Sequence, residues 1–330
     1  MKTPSMLHWQ LTLRCDLACS FCGQARKAPG DELAMADWRR LADEAATFSP
    51  RPRVTLWGGE PLLHPDFSSI ANHALACGLT LDLITNGTRL AMHAGLLRRF
   101  ATLYVSVDGP EAVHDAVRGR GVFARVREGL RAVGPGGPER VLMTALASET
   151  LERAEEAPFG LPVERVIFHE LIRLAPHEAP EAPQAEAWRA NYAPDYPTRL
   201  KEALARWRGM SFPAPVEFQP HFAGGGCREP ERHLHVGATG ETGFCTDFTG
   251  YTLGNVRERT QADVFHSEAA CRWRDRIARG GWPYCAHCSW KNTERTIIRF
   301  MRTHPALEAG RRFAGGAIGG DEREPAMQLR

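Results

Sequence analysis

Leu7-His8-Trp9-Gln10-Leu11-Thr12-Leu13, then Arg14, then Cys15-Asp16-Leu17-Ala18-Cys19-Ser20-Phe21-Cys22 is the stretch from which the fold of this 330-residue chain is read. The first seven residues alternate well enough for a β-strand, which places the three thiols on the loop leaving its C-terminal end. Three thiolates at this spacing can wrap one side of an iron–sulfur cluster, whereas a closed structural zinc site takes four ligands. The missing fourth ligand is informative, because it leaves coordination positions for a ligand that is not protein. The competing reading is a zinc knuckle or three unrelated buried cysteines.

The CxxxCxxC pattern after a first strand, with Phe21 just before the last cysteine, resembles the radical S-adenosylmethionine (SAM) superfamily. The resemblance implies a 4Fe-4S cluster on Cys15, Cys19 and Cys22 whose open iron chelates SAM. Reductive cleavage of SAM then gives a 5′-deoxyadenosyl radical that abstracts a substrate hydrogen. The cofactor carries the hard chemistry, and the protein orients it and excludes water.

The rest of the chain is consistent with an enzyme of this kind. Its length suits one large α/β domain and a smaller one. Lys and Arg total 41 against 39 Asp and Glu, so the charge balance points to neither nucleic acid nor an anionic membrane. No apolar run has the length of a membrane span and no signal-peptide core precedes the first strand, so the expected location is cytoplasmic. Seven of the nine cysteines fall into two ligand-like groups, which favours reduced thiols on iron over disulfides and predicts activity under anaerobic handling.

From the first strand to about residue 170 the pattern alternates strand and helix. Strands are expected at 53–57, 79–85, 103–107, 141–146 and 163–168, and helices at 34–48, 65–77, 90–100, through Val113, and 122–133. Six βα units imply parallel strands joined by right-handed crossovers, compatible with a doubly wound sheet or a barrel. The resemblance selects an α/β fold with a partial (β/α)6 TIM-like barrel over residues 1–172, with functional residues on the loops after the strands. Gly58, Gly59 and Glu60 lie at such a place and match the family's GGE motif, which implies contact with the SAM amino group; a glycine pair there also reads as a tight turn. Asn86, Ser106 and Asp108 end the third and fourth strands, where family members place groups near the methionyl or ribose parts of SAM. Asn-Gly and Asp-Gly are also ordinary turn formers. His169 and Glu170 end the sixth strand as candidate acid–base groups, with a surface pair as the bland alternative.

Residues 173–215 turn Pro- and Ala-rich and read as a linker with a short helix at 185–191 and another at 200–207. Beyond it, Cys227 and Cys245 bracket a hairpin turning at Thr239-Gly240, a helical segment is expected over 260–278, and Cys285 and Cys288 form a CxxC. Four soft ligands close a zinc site or a fully ligated 4Fe-4S cluster, and spacing alone does not choose. The succession of Cys227, Gly240, Cys245, Gly-Asn-Val at 254–256 and CxxC resembles the C-terminal auxiliary-cluster extension called SPASM. No cysteine follows Cys288, as in its shortened one-cluster variant called twitch. The resemblance therefore implies a small α+β twitch/SPASM-type cluster domain over 216–300 and a second 4Fe-4S cluster, followed by a tail at 301–330 expected to be partly disordered. Asp247 is a candidate base beside that cluster. Cys77 and Cys271 are expected to be buried spare thiols.

A fully ligated cluster serves as an electron acceptor, so the expected reaction is oxidation, supported by an electron donor such as flavodoxin or ferredoxin. Fourteen residues precede Cys15, leaving no room for the peptide-recognition domain common in peptide-modifying members. The substrate expectation is accordingly a small metabolite of sugar or aminocyclitol type. The alternatives are a peptide, or a non-catalytic zinc or iron–sulfur scaffold.

Overall fold

Leu7, Trp9 and Leu11 are buried along a seven-residue strand, β1 (Met6–Thr12), because they lie under the helix that follows, α1 (Met35–Ala46). The Trp9 and Trp38 rings meet at 5.7 Å. Alternation then turns His8, Gln10 and Thr12 to the opposite, inner face of the sheet. The computed structural model describes residues 3–22, 30–171, 194–219, 226–245, 251–281 and 298–300.

Five further βα steps repeat the arrangement: β2 (Arg53–Gly58), α2 (Phe67–Ala76), β3 (Thr80–Thr85), α3 (Leu90–Leu97), β4 (Thr102–Ser106), α4 (Glu111–Arg118), α5 (Val122–Val133), β5 (Glu139–Leu146) and β6 (Arg165–Glu170). The crossover between β5 and β6 is a 3-10 segment, Leu151–Glu156, instead of an α-helix. Strands β1 to β6 are neighbours in chain order and all parallel, as their alternation with helices predicts.

The sheet extends past these six strands at both ends. β7 (Val216–Gln219) joins β6 in parallel, and β8 (His233–Val236) joins the free edge of β1 in parallel. Short antiparallel strands finish the edges, β9 (Thr242–Gly243) on β8 and β10 (Ile298–Phe300) on β7. The order β10-β7-β6-β5-β4-β3-β2-β1-β8-β9 leaves an open partial barrel. β7 was not expected, since a four-residue strand flanked by Pro213 and Pro215 reads as linker.

At the N-terminal ends of the strands, charged groups tie the inner face together. Arg53 pairs with Asp82 and donates to Thr102 Oγ1 at 2.7 Å, while Arg165 bridges Glu139 at 3.0 Å and Glu217 at 3.1 Å.

Helix α6 (Tyr196–Arg208) closes the outer side of β6: Trp207 packs at a tilt against Phe168, ring centres 4.5 Å apart, and donates its indole N–H to Glu155 at 3.0 Å. The helical segment expected over 260–278 is two helices, α7 (Gln261–Phe265) and α8 (Glu268–Ala278). The break falls at Ser267, whose hydroxyl accepts from Ala270 N at 3.0 Å and caps α8. α7 buries Gln261, Val264 and Phe265, and Gln261 ties it to the barrel by hydrogen bonds. Trp9 Nε1 donates to Gln261 Oε1 at 3.2 Å, and Gln261 Nε2 donates to the Leu41 carbonyl at 2.9 Å. No helix among the described residues is long and apolar enough to cross a membrane.

The expectation of two buried spare thiols is corrected. Cys271 is exposed, because α8 buries Ala270 and Ile277 and the next position lies about 100° around the helix. Cys77 is half-buried at the C-terminal cap of α2.

Candidate functional site

The backbone leaving β1 is gripped from two sides before it reaches Cys15. On one side Glu32 accepts from Thr12 Oγ1 at 2.9 Å and from Leu13 N at 2.7 Å. On the other, Gly59 N donates to the Thr12 carbonyl at 2.9 Å and Glu60 N to the Arg14 carbonyl at 2.7 Å. The two chains run so close that a Cβ on Gly59 would stand 2.2 Å from the Arg14 oxygen. Gly58-Gly59 is therefore required for packing the β2 end against the cysteine loop.

The Glu60 side chain is fully buried and spans from β2 to β3. It accepts from Leu62 N at 3.0 Å, Thr85 Oγ1 at 2.9 Å and Asn86 N at 2.7 Å. Burial raises its pKa to about 7, against the opposing pull of those hydrogen bonds. Its carboxylate is committed to the protein, so what the GGE segment turns toward the loop is backbone.

Asn86 closes its turn by accepting from Thr88 N at 2.9 Å, and its amide also reaches the cysteine loop. Nδ2 donates to Asp16 Oδ1 at 2.8 Å and lies 3.8 Å from Cys15 Sγ, while Thr88 Oγ1 donates to Asp16 Oδ2 at 2.8 Å. The Asn86 side chain thus closes its turn and contacts the cysteine loop at once.

Asp108 is buried at the end of β4, accepts from Ala145 N at 3.0 Å and pairs with Arg118 at the end of α4. Burial works against its carboxylate, but the Arg118 guanidinium outweighs it and holds the pKa below the ordinary value. The same guanidinium lies 3.8 Å from Cys19 Sγ and 5.4 Å from the centre of the Phe21 ring. Ser106, half-buried, ends β4 on the inner face in register with Met143.

Burial pushes the Cys15 thiol up to about 11 and also raises Cys19, opposed there by Arg118. Thiols in such a setting ionise readily only beside a metal cation, which is the condition for ligation. Sulfurs sharing one zinc would sit roughly 3.8 Å apart. Among the described residues the groupings that close within 4.8 Å are His8–His233–His235 and Asp43–His73–Cys77, and not the three thiols. A wider cubane fits the loop better than a single ion does. In that fit Cys15, Cys19 and Cys22 hold the cluster, with Asn86 and Arg118 beside two of the sulfurs.

In the second group, Cys227 is buried and its amide donates to the Ile277 carbonyl at 3.2 Å, while Cys245 is half-buried just after β9. Gly240 turns the hairpin at φ +98°, where a Cβ would meet Asn255 Oδ1 at 2.5 Å. Cys285, Cys288 and Asp247 lie outside the described residues, as do the expected helix at 185–191 and the tail at 301–330. The reading of His169 and Glu170 as a surface pair is corrected. β6 alternation sends His169 to the inner face beside Gln219 and Glu170 to the other side, where it is buried. Burial lowers the His169 pKa to about 4, so its imidazole is neutral near pH 7.

The inner face also carries Trp57 and Gln219, whose Nε1 and Oε1 are buried without a hydrogen-bond partner among the described residues. Sequence reasoning missed Arg118, Asp16, Glu32 and Thr85. Each is an unremarkable residue in its own segment and acquires a role only when the fold brings the strand ends together.

Residues 9–157 match the model of the Radical SAM superfamily, and residues 227–289 match that of SPASM, an iron–sulfur cluster-binding domain. Over 143 residues the chain is 36% identical to the AdoMet-dependent heme synthase of Methanosarcina barkeri, covering 40% of each chain. Over 144 residues it is 35% identical to the mycofactocin maturase MftC of Mycobacterium tuberculosis, covering 41% of this chain and 36% of the relative. The matched stretch spans about two fifths of the length of these curated relatives. Among solved structures, Streptococcus suis SuiB bound to S-adenosylmethionine superposes with a TM-score of 0.67 at 15% identity, covering 87% of this chain and 72% of that one, which is likeness of fold.

Proposed function

We propose that this chain, which matches the Radical SAM superfamily over residues 9–157 and SPASM over 227–289, is a radical SAM enzyme with 4Fe-4S clusters and SAM as cofactors that oxidises a small biosynthetic metabolite of sugar or aminocyclitol type. When bound, the cofactors supply a carbon-centred radical able to take a substrate hydrogen, and the auxiliary cluster supplies a place for the second electron. Cys15, Cys19 and Cys22 hold the first cluster in this reading, and Cys227, Cys245, Cys285 and Cys288 hold the second. In this reading residues 1–172 carry the SAM-cleaving unit and 216–300 the auxiliary unit, whose strands β7, β8 and β10 extend the barrel's own sheet.

One observation carries the proposal. The cysteine loop, the Gly58–Glu60 segment, Asn86 and the Asp108–Arg118 pair converge at the C-terminal ends of the parallel strands, above an inner face that bears polar and aromatic groups. In this reading backbone groups of Gly58 and Gly59 and the side chains of Asn86, Ser106 and Arg118 orient the polar end of SAM. Buried polar atoms such as Trp57 Nε1 and Gln219 Oε1 favour a substrate rich in hydroxyl or amino groups, since leaving them unpaired costs about 1–3 kcal/mol each. His169 lies on the same face, and burial, which lowers its pKa to about 4, suits it to a hydrogen bond with substrate better than to proton removal.

A peptide substrate is the second reading, favoured by the 35% identity over 144 residues to the mycofactocin maturase MftC. Formation of 5′-deoxyadenosine, followed with host extract added before and after protease digestion, separates the two. Stimulation that survives digestion and passes an ultrafilter supports a metabolite. Stimulation abolished by digestion supports the peptide and overturns the metabolite reading.

A further inference from the structure

We propose that His8, His233 and His235 form a binding site for a divalent metal ion of zinc type, separate from both cysteine groups. The three side chains come from two adjacent parallel strands: His8 stands opposite His235 across the β1–β8 pairing, and His233 is two residues earlier on β8. One ligating nitrogen from each lies within 4.8 Å of the other two. His8 Nε2 and His235 Nδ1 are buried with no hydrogen-bond partner among the described residues, and His235 as a whole is only 4% exposed. Two orphaned imidazole nitrogens side by side are an arrangement that a fold tolerates poorly unless something pairs them.

The third histidine is prepared in a different way. Glu229 Oε2 lies 3.0 Å from His233 Nε2, so in this proposal it is Nδ1 that takes the ion. A carboxylate behind a ligating imidazole is the usual support for a metal-bound histidine. Three imidazoles without thiolate select zinc or a similar borderline cation over iron–sulfur assembly, and a fourth position stays open to water. The His8 and His235 rings are stacked at 4.2 Å with planes 5° apart, so sharing an ion turns one ring out of the stack. Such an ion would clamp the strand that runs directly into Cys15 to the strand lying between Cys227 and Cys245, fixing the two cluster-bearing segments against each other.

The test uses the anaerobically reconstituted full chain, washed with chelator, loaded with zinc sulfate and desalted. It reads zinc, iron and sulfide per chain, together with zinc-edge X-ray absorption. A Cys77→Ser background removes the separate Asp43–His73–Cys77 grouping. The proposal predicts about one zinc per chain with nitrogen and oxygen neighbours at roughly 2.0–2.1 Å. It also predicts that His233→Ala and His235→Asn lower zinc to background while iron and sulfide are unchanged. No retained zinc in the parent protein, a sulfur shell at roughly 2.3 Å, or undiminished zinc in both variants overturns it. The absorption spectrum of the parent protein decides the matter even if a variant fails to fold.

Discussion

The Arg118 guanidinium joins Asp108 to Cys19: it pairs with the buried carboxylate at the end of β4 and stands 3.8 Å from the thiol of the cysteine loop. One cation therefore serves a buried anion and a thiol of the proposed cluster loop together. Replacing it by Gln leaves Asp108 buried and unpaired, which costs about 3–5 kcal/mol. In Arg118→Gln the melting temperature of the apoprotein should fall sharply, and Asp108→Asn in the same chain should recover much of the loss. Removing a positive charge beside a cluster sulfur should also make the first cluster harder to reduce, read as a more negative midpoint in an EPR-monitored redox titration.

Gly59→Ala places a methyl group where the Arg14 carbonyl now sits, 2.2 Å from the would-be Cβ. The loop carrying Cys15 must move. The expected outcome is a loss of about 1–3 kcal/mol of stability and a selective loss of iron from the N-terminal site, with the second group retaining its iron. Iron and sulfide assays on the variant and wild type check this.

Glu60 gives the pH dependence a sign. Its pKa is raised from 4.5 to about 7 in the folded chain, chiefly by burial, so the fold favours the protonated form. The stability tied to that proton is fully present below pH 4.5 and is lost as pH rises through 7, at no more than about 1.4 kcal/mol per pH unit. Glu60→Gln should remove that slope. Denaturant melts of both proteins between pH 4.5 and 8 should show the Gln variant gaining on wild type as pH rises.

Gln261 docks the segment after the hairpin onto the barrel through Trp9 and the Leu41 carbonyl. Gln261→Ala orphans the Trp9 indole N–H, at a cost of about 1–3 kcal/mol. Hydrogen exchange should quicken across α7 and α8 and leave β3 to β5 unchanged.

The barrel was legible because its information is local. Strands β1 to β6 announce themselves as apolar runs between helical segments, three of them with glycine at or just after their ends, and each falls within a few residues of its expected place. β7 and β10 were not legible, since strands of four and three residues carry too little pattern and owe their pairing to the sheet edge already built. In the site, Cys15, Cys19, Cys22 and the Gly58–Glu60 segment could be read from spacing. Glu60 differs from its expected use, because its carboxylate bonds to Thr85 and Asn86 from the next strand, a contact between residues 25 and 26 apart that no local motif encodes. Arg118 is further removed: its partner lies ten residues back, and the thiol beside it 99 residues back.

The central claim, a SAM-cleaving cluster on the first loop and a separate cluster on the second cysteine group, is tested most directly by comparing wild type with a Cys15→Ala, Cys19→Ala, Cys22→Ala triple variant. Both are reconstituted anaerobically, assayed for iron and sulfide, and incubated with SAM and a strong reductant. The account predicts about eight irons and formation of 5′-deoxyadenosine for wild type, against about four irons and none of that product for the variant. Equal iron in the two proteins, or no SAM cleavage by wild type, would contradict it.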